Sequence, residues 1–175
     1  LEVLTGMLSR LLGAQRFALE NPGYPKVAHI LANNGYHTVP VEVDADGMRP
    51  DLLAQSGAGA AYLTPSHQYP TGGVMRLARR TELLGWAARG GHTIIEDDYD
   101  SEFRFDGRPL PCLQGLDQAG HVVYAGTFSR SLAPGLRAAY LVLPPALLAR
   151  WRKTYGDYAC TVSRPEQHTL ARLME

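Results

Sequence analysis

The sequence has few cysteines, no net charge and no long apolar run, and each absence excludes a class of protein. The two cysteines, Cys112 and Cys160, match no metal-ligand spacing and are too few for a disulfide framework, so they predict structural thiols in a reducing cytoplasm. The 17 basic and 17 acidic residues cancel, which leaves no bulk charge to attract nucleic acid or a membrane surface. The chain shows neither an apolar run of about 20 residues nor an export leader, so we expect no membrane partner.

Two phosphate-binding motifs are also absent. No segment has the GxxxxGK[ST] spacing of a P-loop, and no GxGxxG follows a strand-like run, which disfavours a dinucleotide site. Both ends of the sequence look cut, because it opens directly on LEVLTGMLSRLLG and its last helical pattern, PEQHTLARLME, stops without a cap. We expect the chain to be a piece of a longer protein.

The sequence does contain an alternation of short β-branched or apolar runs with helical patterns. This alternation predicts an α/β domain with a mostly parallel sheet. The predicted strands are 16–20, 37–43, 60–64, 92–96, 121–126 and 138–144, and the predicted helices are 24–35, 49–57, 75–91 and 145–158. The predicted core-facing stripe of the helix at 75–91 consists of Leu77, Thr81, Leu84 and Ala88.

Three polar clusters follow strand-like runs. They are TPSHQYPTG after 60–64, EDDYDSEF after 92–95 and GTFSRS after 121–125. In open α/β sheets, ligands bind beyond the carboxyl ends of the strands. The three clusters are therefore predicted to meet at one rim of the sheet and to form a ligand site there.

Each cluster taken alone has a structural interpretation as well as a functional one. The four carboxylates at 96–100 favour a solvated acidic turn or a helix N-terminus over a site that pairs with a cation. In the tight loop at 63–73, His67 is more often a hydrogen-bonding strut than a base. The segment 126–137 combines hydroxyls and backbone N–H groups with the planar guanidinium of Arg137, and this set of donors suits a phosphate.

In this order, ENPGYP, TPSHQYPTG, IIEDDYDSEFRF and GTFSRSLAPGLR resemble the large domain of fold-type I pyridoxal 5'-phosphate (PLP) aminotransferases. More narrowly, PSHQYPTG and EDDYDSEF resemble the aminotransferase-like domain of MocR-type transcription regulators of the GntR superfamily. The resemblance runs over about 1–158 and implies a three-layer α/β fold with a mostly parallel sheet. It divides the chain into an N-terminally incomplete large domain, 1–144, and a linking helix with the start of a small domain, 145–175.

The resemblance also implies roles toward the PLP ring. Asp97 would lie against the pyridine nitrogen and keep it protonated, and Tyr99 would hydrogen-bond the ring 3-oxygen. Tyr24 would lie near the ring or the substrate. Tyr69 stands where ordinary aminotransferases have the Asn of NPTG, an exchange that favours the regulator subgroup.

On the phosphate side, Thr127, Ser129 and Arg137 would hold that group. Next to Ser129 the sequence departs from the family, which has a lysine there that forms the Schiff base with PLP. This chain has Arg130, 33 positions after Asp97, the spacing expected for that lysine. A guanidinium stays protonated and has no free amine to condense with an aldehyde, so Arg130 lacks the catalytic function of the family's lysine. PLP, if it binds, is therefore predicted to bind non-covalently.

Two further departures concern the ends of the chain. The helix before the strand at 16–20 is about two turns shorter than in the family, where its N-terminus caps the phosphate. The small domain, which supplies an arginine for the substrate carboxylate, is mostly absent. The resemblance implies a homodimer, and DNA binding only through a winged-helix domain that is not in this chain.

Three functions fit these observations. The first is an effector-sensing domain that binds PLP and a small amine or amino acid without turnover, because sensing needs binding and a change of shape rather than catalysis. The second is an aminotransferase acting on an amino acid, which Arg130 and the YPTG variant oppose. The third is a degenerate fragment that binds nothing. The first is our prediction, for a cytoplasmic protein.

Overall fold

A computed structural model describes residues 2–100, 110–130, 132 and 134–174. Residues 101–105, the end of the IIEDDYDSEFRF motif, lie outside the described residues. The strands are β1 (Arg16–Asn21), β2 (His37–Asp44), β3 (Gly47–Met48), β4 (Ala60–Leu63), β5 (Thr93–Asp98), β6 (Val122–Thr127) and β7 (Ala139–Val142). The helices are α1 (Glu2–Leu12), α2 (Pro25–Asn33), α3 (Pro50–Gln55), α4 (Leu77–Gly90), α5 (Leu113–Leu116), α6 (Pro145–Tyr155) and α7 (Arg164–Leu173), with a 3₁₀ turn at Pro134–Leu136.

The described strands form one sheet in the order β3-β2-β1-β4-β5-β6-β7. The five strands from β2 to β6 in that order are parallel, whereas β3 and β7 pair antiparallel at the two edges. The predicted α/β fold with a mostly parallel sheet is confirmed. The chain leaves β1 toward β2 on one side and returns to β4 on the other, so a crevice for a ligand is expected beyond the carboxyl ends of β1 and β4.

The central strands are buried because helices cover both faces of the sheet. All four residues of β4 are buried. One face packs on α3, α4 and α5 through a cluster that includes Leu63, Leu83 and Ile94. The other face packs on α1, α2 and α6 through a cluster that includes Leu8, Tyr62 and Ile95. Because side chains alternate along a strand, neighbouring residues of β4 and β5 serve different helical layers.

Helix α4 buries a different face from the predicted one. Leu77 and the exposed Thr81 and Ala88 lie toward solvent, and Leu84 is only half-buried. The buried residues are Arg80, Leu83, Trp86 and Ala87. The predicted stripe is wrong because it placed an arginine on the solvent side of the helix.

Arg80 is fully buried and its guanidinium joins α4 to two loops. Its Nε donates to the carbonyl of Met75 at 3.1 Å, and its Nη2 donates to the carbonyl of Pro65 at 3.0 Å. Its Nη1 lies 3.6 Å from Oε1 of Glu96 on β5. These partners satisfy a charge that would otherwise be costly to bury.

The carboxylates at 96–100 are buried, so the interpretation as a solvated acidic turn is wrong. Glu96 accepts the backbone N–H groups of Leu113 at 2.8 Å and Gln114 at 2.9 Å, at the start of α5. Burial raises the pKa of Glu96. Asp98 accepts the hydroxyl of Tyr124 at 2.7 Å. Glu96 and Asp98 are therefore held by other parts of the chain. Asp97 lies on the opposite face from Glu96 because strand side chains alternate.

Helix α6 packs back onto α1. The Tyr155 hydroxyl donates to the carbonyl of Met7 at 3.2 Å, and the guanidinium of Arg150 donates to the carbonyl of Leu11. The division of the chain at residue 144 stays a prediction. In the described part of the chain, no helix combines the length and apolar character needed to cross a bilayer.

Candidate functional site

One pocket of about 320 Å³ opens beyond the carboxyl ends of β4, β5 and β6. The structure brings together there all seven residues that the sequence predicts for the site, although it does not test their roles. Thr64, Tyr69, Ala138 and Ala139 complete the wall. The residues predicted from the sequence are Tyr24, Asp97, Tyr99, Thr127, Ser129, Arg130 and Arg137. The three polar clusters thus meet at one rim, because each follows the carboxyl end of a parallel strand.

Asp97 is the buried carboxylate of this pocket, with 6% of its surface exposed. The hydroxyl of Tyr62, on the neighbouring strand β4, donates to its Oδ2. Burial raises the pKa of Asp97 to about 6, although the hydrogen bond from Tyr62 opposes that rise. At pH 7 this side chain is mostly ionised, so it can accept a hydrogen bond from a protonated nitrogen of a ligand.

Three polar side chains line the opposite part of the pocket. The Thr127 hydroxyl lies 3.1 Å from the Ser129 hydroxyl and accepts the backbone N–H of Ser129 at 3.2 Å. Arg137 is exposed and has a φ of 51°, in the left-handed region that residues other than glycine rarely adopt. Hydroxyls together with an exposed guanidinium form a donor set suited to an anion. Arg137 also lines a second cavity, of about 470 Å³, between α1 and α6.

Two tyrosine rings form an aromatic wall. The rings of Tyr24 and Tyr69 meet edge to face, with centroids 5.6 Å apart. The loop that carries Tyr69 is held by Gln68, whose amide nitrogen donates to the carbonyl of Pro22 at 2.8 Å. Its amide oxygen accepts the Thr71 hydroxyl at 2.6 Å. The loop therefore has a defined position against the segment that carries Tyr24.

Arg130 is held at the wall of the pocket by two contacts. Its Nη1 donates to Oδ2 of Asp100 at 3.1 Å, and its Cζ lies 5.2 Å from the centroid of the Tyr99 ring. The same carboxylate oxygen lies 2.6 Å from Nδ1 of His67. The Tyr99 hydroxyl donates to the carbonyl of His67 at 2.9 Å. His67 is thus a strut of this cluster, as its loop position predicts.

Sequence reasoning missed Glu20, at the end of β1. Its Oε2 accepts the backbone N–H of Thr64 at 3.1 Å and the Thr64 hydroxyl at 2.6 Å. Its Oε1 is buried without a hydrogen-bond partner among the described residues. Burial raises the pKa of Glu20 to about 7. The signal in the sequence was its place at the start of ENPGYP, where a carboxylate follows a buried strand.

A family model described as aminotransferase class I and II matches residues 2–175. The chain belongs to this family. It is 45% identical over 156 residues to the HTH-type transcriptional regulator YdeL of Bacillus subtilis (strain 168), which covers 89% of this chain and 34% of that protein. It is 43% identical over 139 residues to the probable rhizopine catabolism regulatory protein MocR of Rhizobium meliloti, covering 79% of this chain and 28% of that protein.

The family fold is also seen in a solved structure. LysN, an α-aminoadipate aminotransferase from Thermus thermophilus complexed with N-(5'-phosphopyridoxyl)-L-leucine, has a TM-score of 0.85 and 28% identity. The match covers 99% of this chain and 47% of that one. The predicted resemblance to fold-type I aminotransferases, and to the MocR-type regulators among them, is confirmed. The chain spans about a third of the length of the curated regulators that it matches.

The side chains that line this pocket fit the non-covalent contacts of PLP. Its donor set contains a buried carboxylate, Asp97, and an exposed guanidinium with hydroxyls, Arg137 with Thr127. The sequence has two lysines, Lys26 and Lys153, which are both exposed and do not line the pocket. No primary amine of the described residues therefore lines the pocket.

Proposed function

We propose that the chain is the effector-sensing domain of a MocR-type transcription regulator and that it binds PLP without turnover. The observation that carries this proposal is Arg130, whose guanidinium is held by Asp100 and which stands where the resemblance implies the Schiff-base lysine of the family. PLP, when bound, supplies an electron-accepting ring. The residues present supply binding and orientation for it, and none of them supplies the amine that transamination requires.

Each contact of the pocket has an assigned role in this proposal. Asp97 accepts a hydrogen bond from the protonated ring nitrogen, because its carboxyl is buried and mostly ionised at pH 7. Arg137, with the hydroxyls of Thr127 and Ser129, binds the phosphate. Tyr24 closes the pocket over the ring, and a small amine or amino-acid effector binds beside it.

Tyr99 has a more restricted role than a free phenol would have. Its hydroxyl already donates to the carbonyl of His67 at 2.9 Å, so toward the ring 3-oxygen it acts through its remaining lone pair or after that bond opens. Its ring supports the guanidinium of Arg130. We propose that it contributes to the pocket mainly through this stacking contact.

The remaining parts of the proposal concern the whole regulator. The two relatives reported above are both regulators by name, and YdeL is called HTH-type, so we propose that a winged-helix domain outside this chain binds DNA. A homodimer in the cytoplasm follows from the same analogy. Shape change on ligand binding would then alter the relation between the two DNA-binding domains.

The test is a titration of the chain with PLP, followed by equilibrium dialysis. We expect saturable binding that dialysis reverses, and a loss of about tenfold in affinity for Arg137→Gln, because a charge-assisted hydrogen bond contributes about 1.5–3 kcal/mol. Arg76→Gln is the matched control, since Arg76 is 79% exposed, pairs with Asp46 and does not line the pocket. An absence of saturable binding in the unmodified chain would overturn the proposal.

The same titration tests the alternative function. The family match favours transamination, so the chain with PLP is incubated with an amino acid and a 2-oxo acid. We expect no exchange of the amino group, because no primary amine of the described residues lines the pocket. Measurable turnover would instead support an aminotransferase.

A further inference from the structure

We infer that Arg130 makes the pocket select B6 phosphates whose ring 4-substituent is anionic or accepts hydrogen bonds over those with a protonated amine there. The inference rests on the proposed function, in which Arg130 stands in place of the lysine that reacts with the PLP aldehyde, the substituent at ring position 4. It adds a ligand preference that depends on Arg130, because a lysine at this position would give the pocket a different ligand preference.

The guanidinium of Arg130 is anchored on one side and open on the other. Asp100, whose side chain is 6% exposed, accepts from Nη1, and the side chain of Arg130 remains 59% exposed. The Tyr99 ring supports the guanidinium at 5.2 Å. A guanidinium held in this way at the pocket wall loses little conformational entropy when it binds a ligand.

Arg130 offers only donors to a ligand. A guanidinium has five N–H groups and no acceptor, so whatever binds it must accept hydrogen bonds. Within residues 2–100, 110–130, 132 and 134–174, the only hydrogen bond of Arg130 is the one from Nη1 to Asp100. The described residues therefore leave the other N–H groups of the Arg130 guanidinium to an aldehyde or carboxylate oxygen of a ligand.

Among the described residues, no carboxylate beside Arg130 lines the pocket to pair with a protonated amine. Asp100, the carboxylate that pairs with Arg130, does not line the pocket. Its Oδ2 is already shared by Arg130 at 3.1 Å and His67 at 2.6 Å. An ammonium group would have to displace Arg130 to reach this carboxylate, and until then it faces a like charge.

Two ligands isolate the contribution of ring position 4. Pyridoxamine 5'-phosphate carries an aminomethyl group there, and 4-pyridoxic acid 5'-phosphate carries a carboxylate, while both keep the 5'-phosphate. Neither has an aldehyde, so neither reacts with the exposed Lys26 or Lys153. The ratio of the two dissociation constants therefore measures the preference of the pocket wall at Arg130 and is not affected by reaction with surface lysines.

The experiment measures both dissociation constants by calorimetry for the unmodified chain, Arg130→Gln and Arg76→Gln. We expect the unmodified chain to bind the 4-carboxylate about tenfold or more tightly than the amine, the effect of one charge-assisted contact. Arg130→Gln should bring the two affinities within about threefold of each other, a difference worth less than one such contact. Arg76→Gln, which changes an exposed arginine elsewhere, should keep the full preference.

The outcomes separate this inference from the proposed function. If both ligands bind the unmodified chain equally well, or if Arg130→Gln keeps the preference, the inference is wrong and the proposed function stands. If neither ligand nor PLP binds, both are wrong. Circular dichroism checks that Arg130→Gln is folded, and Arg130→Met serves as a second variant that removes the charge but keeps much of the length of the side chain.

Discussion

Replacing Glu20 with glutamine is expected to remove most of the pH dependence of stability between pH 6 and 8. Glu20 is buried against Thr64 and Gln68, and burial raises its pKa from 4.5 to about 7 although hydrogen bonds from both residues lower it. The glutamine oxygen can accept the same hydrogen bonds from Thr64. The variant therefore changes the charge while it keeps the shape and the main contacts.

The sign and size of the effect follow from the two pKa values. The folded state binds the proton more tightly than the unfolded state, so the free energy of unfolding falls as pH rises from 4.5 to about 7. For Glu20 this amounts to about 2.5 kcal/mol between pH 5 and 8. Asp97, whose pKa is raised to about 6, adds about 1.4 kcal/mol over the same range, mostly below pH 6.

The assay is urea unfolding of the unmodified chain and Glu20→Gln at pH 5, 6, 7 and 8. We expect the stability of the variant to change by about 2–3 kcal/mol less than that of the unmodified chain over this range. Glu82→Gln is the control, because Glu82 lies on α4 with 59% of its side chain exposed. A difference between the unmodified chain and Glu20→Gln that does not change with pH would refute this explanation of the buried carboxyl.

Two other substitutions give distinct outcomes. Arg130→Lys should form a PLP adduct at position 130, because the substitution supplies a primary amine there. The adduct is reduced with borohydride and located by peptide mapping with mass spectrometry. The unmodified chain should show only weak labelling, at the exposed Lys26 and Lys153. No adduct at position 130 with saturating PLP would mean that the pocket does not hold PLP. Glu96→Gln should lower the free energy of unfolding by about 3 kcal/mol in urea, because the buried Arg80 loses the charge of the Glu96 carboxylate. A loss below about 1 kcal/mol, a typical neutral hydrogen bond, would show that the carbonyl partners of Arg80 suffice.

The sheet and the position of the pocket could be predicted from the sequence because the signals for them are local. Strand periodicity and the polar residues that directly follow each strand are read over short stretches of the chain. Each predicted strand overlaps an observed one, from β1 to β7, and only the two-residue β3 was not predicted. Because the carboxyl ends of parallel strands lie at one edge of the sheet, the positions of the strands are enough to predict that the three clusters meet.

The side-chain partners could not be predicted in this way, because they are distant in sequence. The predicted stripe of α4 treated Arg80 as a solvent residue, since its acceptors at Pro65 and Pro111 and its partner Glu96 come from other segments. Glu20 depends on residues 44 and 48 positions away. The acidic run is buried for the same reason, because tertiary partners override what its composition favours.

The alternation along β5 ties the anchoring of α4 to the ligand pocket. Glu96 serves Arg80 on one side of the sheet, and Asp97 serves the pocket on the other. A shift of this strand by one position would exchange the two sides, leaving Arg80 without its carboxylate at the same moment as the pocket loses its own. A deletion or insertion within Thr93–Asp98 would thus disturb the anchoring of α4 and the ligand pocket together.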